Sequence, residues 1–277
     1  MTTILGIHGA GNHRAGQPAA RMSAALSERW AAALGRGLGA APGSLDLDVV
    51  YYADLLHGEI AQGPPEVSEL GPVAEAMVLA WTQALGAPPD IAQGRLTEPA
   101  RRAIEWVAQR FGRPYEVVAH AFVAVVFPEV ATYLTDEPAR EAVRETVAQA
   151  IAEHRPAVLI AHSLGSVVAY EALCAHPGIE VPLLLTVGSP LGMPKVVRER
   201  LRPAVGPDAN RPAGVRRWVN VADHGDFITV PTRLSDVFAV DEEHRVSIHP
   251  VDFHRVASYL PCPEVSAAVR PYLSAFG

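Results

Sequence analysis

Short strand-like runs recur at residues 3–7, 45–56, 156–161, 181–192 and 215–227, the second opening with Leu45, Leu47 and Val49 alternating against Asp46 and Asp48, with helical patterns in the intervals between them. Such runs read as buried strands, and strands alternating with helices predict an α/β fold: a mostly parallel central sheet flanked by helices. In sheets of this kind ligands bind beyond the C-terminal ends of the strands. The runs close on residues that turn sharply or do chemistry: His8-Gly9-Ala10-Gly11, Ala161-His162-Ser163, Gly188-Ser189, and the stretch from Asp223 to Asp226. "VFAV" at 237–240 is read as the start of a last strand.

With 277 residues, 49% of them apolar, the chain can bury a large core, and we expect one domain over 1–277. Helices are expected at 19–34 and 138–153, the second presenting Ala139, Ala142, Val143, Thr146, Val147, Ala150 and Ile151 on one face. Between 58 and 136 strand patterns vanish, and the breaks "GPPE", "GAPPD", "GRP" and "FPE" separate helical segments. This stretch reads as a helical lid inserted before the strand that carries Ser163. Its aromatic residues, Trp81, Trp106, Phe111, Tyr115, Phe122, Phe127 and Tyr133, supply a lid core, and Phe122 to Phe127 is a candidate lining for an apolar pocket.

The formal net charge of −7 offers no positive field for phosphates or anionic lipid, so nucleic acid is not expected as a partner. One local cluster, Lys195, Arg198, Arg200, Arg202, Arg211, Arg216 and Arg217, is read as a solvated loop face, with an anionic ligand as the alternative. The window at 117–130 is too short to span a bilayer, so stable membrane insertion is not expected. "MTTILGIHGAGNH" lacks the charged and apolar regions of a signal peptide, and Cys174 and Cys262 form no disulfide framework, which together predict a cytoplasmic protein. No His-Glu-x-x-His or Cys/His spacing is present, so neither a metal nor a cofactor is expected. Oligomeric state is not legible.

"LIAHSLGSVVAYEAL" at 159–173 places Ser163 at the corner between a strand and a helix. A serine there is ordinarily a helix N-cap. In a nucleophile elbow, by contrast, the serine sits on a strained turn that requires small residues two before and two after it, and Ala161 and Gly165 meet that demand. The elbow aims the Leu164 N–H at a developing oxyanion, and the loop at 8–12 supplies a second donor, Ala10 N–H with Gly9 as alternative. That loop lacks the G-x-G-x-x-G spacing and the lysine of phosphate-binding loops.

The order of "IHGAGN", "AHSLGS", "TVGSPLG", "WVNVADHGDF" and a late histidine before "YLPCPEV" resembles the α/β-hydrolase superfamily, in particular lipase-like and esterase-like members with an HGxGN loop. The resemblance covers roughly 3–56 and 138–273 and leaves out the lid. It implies a serine, acid, histidine order: Ser163 as nucleophile, Asp226 as acid with Asp223 as alternative, and His254 as base ahead of His244 and His249. The implied activity is hydrolysis of a carboxylic ester, thioester or lactone of an apolar small-molecule acyl substrate. An acyltransferase or cyclase on the same residues is one alternative, and a ligand-binding module that keeps the scaffold without catalysis is another.

Overall fold

The computed structural model describes residues 3–57, 66–88, 98–111, 114–205, 211–229, 233–248 and 254–273. Strands β1 (Ile4–Ile7), β2 (Leu47–Val50), β3 (Val158–His162), β4 (Val181–Val187), β5 (Val215–Asp223) and β6 (Glu242–Val246) form one sheet in the order β2-β1-β3-β4-β5-β6. Every pairing is parallel. The helices are α1 (Ala19–Leu38), α2 (Pro72–Ala84), α3 (Glu98–Phe111), α4 (Pro114–Thr135), α5 (Glu137–His154), α6 (Leu164–Ala175), α7 (Val256–Tyr259) and α8 (Pro263–Leu273). The chain is therefore α/β with an all-parallel sheet between helices, and the stretch between β2 and α5 contains no strand among the described residues. None of the described helices is long and apolar enough to cross a membrane.

The two-residue period of the strands divides the core into two faces. Leu5, Ile7, Leu159, Ala161, Leu184 and Trp218 point to the side covered by α2 to α6. Ile4, Val158, Ile160, Leu183, Leu185 and Val219 point to the side covered by α1 and α8. Helix α1 packs directly on β1 because Gly6 makes room for it: a Cβ at Gly6 would lie 2.8 Å from the Trp30 ring. Trp30 is consequently buried on a surface helix.

Three expectations need correction. The run at 45–56 yields strand only over Leu47–Val50, because β1 ends at Ile7 opposite Val50 and leaves the ladder without a partner. The next backbone N–H, that of Tyr52, goes to His8 Nε2 instead, at 3.3 Å. The last strand is Glu242–Val246 rather than "VFAV". Phe238 is a core plug packed on Tyr170 and Trp218, whereas the strand lies at the sheet edge, where Arg217 and Glu242 pair in solvent. The buried face of α5 consists of Arg140, Val143, Val147, Ala148 and Ile151, so it is rotated away from Ala142 and Thr146. Arg140 is drawn inward by Glu171.

The chain leaves β1 toward β2 on one side, then returns to place β3 on the other side and winds on through β6. The reversal lies between β1 and β3, where open α/β sheets bind their ligands. Ile7 and Ala161 are paired at that point, so the loop after β1 and the turn after β3 leave the sheet side by side.

Candidate active site

Ser163 lies in that turn with φ 52° and ψ −128°, a conformation that strains a non-glycine residue. Neighbouring contacts hold it there. The Ser163 N–H donates to the Val187 carbonyl at 3.2 Å, and the Ser163 carbonyl accepts from the N–H and the Oγ of Ser166. Gly165 is required by space, because a Cβ there would stand 2.4 Å from the Ile7 carbonyl oxygen. Gly9 is required for the same reason, its Cβ falling 2.7 Å from that of Ser163. The alanine at 161 fits fully buried.

The Ser163 side chain does not cap α6. Its Oγ lies 2.8 Å from His254 Nε2, and His254 Nδ1 lies 2.8 Å from Asp226 Oδ2. Since Nδ1–H donates to the Asp226 carboxylate, Nε2 is the bare nitrogen and Ser163 Oγ–H donates to it. Asp226 is fully buried and accepts further hydrogen bonds from Ile228 N–H at 3.0 Å and Tyr259 Oη–H at 2.7 Å. Burial and the adjacent Asp226 charge raise the Tyr259 phenol well above its ordinary pKa, so it remains a donor. Its oxygen in turn accepts the Asp223 N–H at 2.9 Å.

Asp223 holds loops instead of the histidine: its Oδ1 accepts Gly225 N–H and its Oδ2 accepts Ile248 N–H, both at 2.7 Å. His244 lies on β6 beside Glu242, and His249 falls outside the described residues. His162 donates Nε2–H to the His254 carbonyl at 2.8 Å. Burial first, and the neighbouring His254 second, hold its imidazole well below the ordinary histidine range. It therefore packs and positions while neutral. Ser189 is engaged with Ser166 Oγ at 2.7 Å.

The loop after β1 is fixed through one carbonyl. Gly9 C=O accepts Asn12 Nδ2–H at 2.8 Å and His8 Nδ1–H at 2.7 Å. Because a trans peptide directs its C=O and N–H oppositely, pinning the Gly9 oxygen also sets the direction of the Ala10 N–H. Burial pushes the His8 pKa down to about 4, which keeps it in the neutral form that donates at Nδ1 and accepts Tyr52 N–H at Nε2. Leu164 is the first residue of α6, a position whose N–H has no acceptor within the helix.

A cavity of about 990 Å³ opens over Ser163, lined by Gly9, Ala10, Asn12, Phe122, Val125, Val126 and His254 among others. Phe122 meets the His254 ring edge-on at 5.4 Å. Phe127 is instead buried against Trp81, which donates its indole N–H to the Phe227 carbonyl at 3.1 Å. Of the described aromatic side chains, Phe122 thus lines the cavity while Trp81 and Phe127 pack. No group of three or more potential metal ligands occurs among the described residues. The basic cluster lies elsewhere, with Arg198, Arg202, Arg211, Arg216 and Arg217 paired to Glu199, Glu137, Asp241, Glu180 and Glu242. Both cysteines are free, and burial raises each thiol to about 11, which makes neither a nucleophile.

Sequence reasoning missed Tyr259, His8 and the hydrogen bond from His162 to the His254 carbonyl. Tyr259 stands within the quoted "YLPCPEV", but a tyrosine at a helix end carries no local mark of its partner. Comparison of the chain with family models, with curated proteins and with solved structures returned no match.

Proposed function

We propose that this chain is a serine hydrolase of α/β-hydrolase architecture, cleaving an ester, thioester or lactone through an acyl-enzyme on Ser163. The observation that carries the reading is the unbroken line Ser163 Oγ, His254, Asp226, beginning at a strained elbow in a cavity and ending on a buried carboxylate. The order serine, acid, histidine agrees with it.

His254 Nε2 takes the Ser163 proton as Oγ attacks the acyl carbon, and the tetrahedral anion is held by the Ala10 and Leu164 amides. Asp226 balances the imidazolium. Collapse expels the alcohol or thiol, which leaves with the proton from Nε2. Water then adds to the acyl carbon, giving its proton to Nε2, and the acid departs as Ser163 recovers its own. Helices α2 to α4 are assigned as the lid, and Phe122, Val125 and Val126 of α4 line the cavity.

The test is labelling with a fluorophosphonate, read as intact mass. A single adduct on the wild type, lost in both Ser163→Ala and His254→Ala, is expected. An adduct that persists in Ser163→Ala, or a wild type that takes none, would sink the proposal.

A further inference from the structure

The cavity over Ser163 is mixed in an unusual way. Leu26 and Trp30 of α1, together with Phe122 and Val125 of α4, give it apolar walls, yet Arg14, Arg29 and Arg255 also line it. No aspartate or glutamate is among the described lining residues. Arg14 and Arg29 have no carboxylate within ion-pair distance among the described residues, unlike Arg198, Arg202, Arg211, Arg216 and Arg217. Each is tethered without being used up. Arg29 Nε–H donates to the Ala25 carbonyl at 3.0 Å, and Arg14 Nη1 donates to the His13 carbonyl at 2.6 Å. A guanidinium has five N–H donors, so several remain on each.

Among the described residues the formal charges lining the cavity are positive, and they stand beside apolar walls that lower the effective dielectric. A neutral fatty ester would leave these donors to water. From this arrangement, and resting on the serine hydrolase reading above, we infer that the substrate is an anionic amphiphile: an ester or thioester with an apolar portion near Ser163 and a carboxylate or phosphate held by Arg14 and Arg29. The reaction is unchanged, with water adding to the acyl carbon and the alcohol or thiol leaving with a proton. The anion contributes binding and orientation.

Binding is measured on Ser163→Ala, so that turnover is not needed. Quenching of tryptophan fluorescence gives dissociation constants for two matched esters, 4-nitrophenyl pentanoate and 4-nitrophenyl hydrogen glutarate, which differ in a terminal methyl against a terminal carboxylate. A second pair, the butanoyl thioesters of N-acetylcysteamine and of coenzyme A, puts phosphate on the leaving group. We expect the anionic member of at least one pair to bind about fivefold or more tightly at low ionic strength, with the advantage shrinking as salt rises. Arg29→Glu and Arg14→Ala should erase that advantage and leave the neutral member within about twofold. Equal or weaker binding of both anionic members, or a preference that survives both arginine variants, overturns the inference. Loss of fluorophosphonate labelling on the wild type overturns the hydrolase reading instead, and the two failures are separately visible.

Discussion

Glu171 and Asp226 are both fully buried carboxylates, and each accepts a hydrogen bond from a buried tyrosine, Tyr133 at 2.8 Å and Tyr259 at 2.7 Å. Around Glu171 every acceptor site is taken by a fixed partner: Arg140 by two donors, Tyr133, and the Arg202 N–H. That network ties α4, α5 and α6 to the 200–202 segment, and none of its members lines the cavity over Ser163. Around Asp226 the third partner is His254, whose far nitrogen reaches Ser163 at the cavity. The ingredients are nearly the same. What separates a brace from a site is whether one member of the chain of hydrogen bonds opens onto space where a substrate can stand.

The comparison can be broken or sharpened by substitution. The largest effect should come from Asp226→Asn, which offers His254 the wrong partner at Nδ1; kcat/KM for ester hydrolysis should fall by about 10⁴-fold. A loss below tenfold would reduce Asp226 to a brace like Glu171. Next, Arg140→Ala should destabilise the fold by about 3–5 kcal/mol in urea unfolding, because it leaves the Glu171 charge buried and alone. Turnover by the remaining folded protein should change less than about threefold, and a hundredfold loss there would dissolve the distinction.

A third effect separates the two regions by pH. His8, neutral in the fold with its pKa lowered from 6.5 to about 4, binds its proton more readily when unfolded. Stability is therefore fully present above pH 6.5 and is lost as pH falls toward 4, by about 3 kcal/mol from this group alone. Denaturant midpoints across that window should show the loss, and His8→Gln should remove this group's share of it while leaving that of His162, whose buried imidazole is also held well below the ordinary range. Smaller still, Tyr259→Phe removes one donor from Asp226 and an acceptor from Asp223 N–H, costing about 1–3 kcal/mol of stability. Asn12→Ala frees one of two donors on Gly9 C=O and should lower kcat about tenfold at little change in KM, on the scale of a loosened oxyanion donor.

Strands β1, β3 and β4 were legible because both faces are buried and the runs are nearly all apolar. The elbow was legible because a sharp turn leaves small residues in fixed places, Ala161 and Gly165. Strand β6 was hidden, since an edge strand facing solvent reads "EEHRV" like any charged loop. The Arg140 and Glu171 pair, 31 residues apart, had no sequence signal, for nothing local marks a charge as buried. The basic stretch, read as a solvated loop face, lies on the surface away from the cavity. Its arginines are adjacent in sequence yet answered by acids brought from Glu137, Glu180, Asp241 and Glu242, whereas Arg14, Arg29 and Arg255 meet at one cavity from three separate places.

The crowding at Gly9 and Gly165 sets what can change around this centre. The distance between the loop after β1 and the turn after β3 is kept by missing methyl groups, so no rotamer can drift to spoil it and no side chain can be exchanged to tune it. Variation is left to α1 and α4, which form the walls without setting the gauge. A scaffold of this kind can be given new walls many times while the spacing at its centre stays the same.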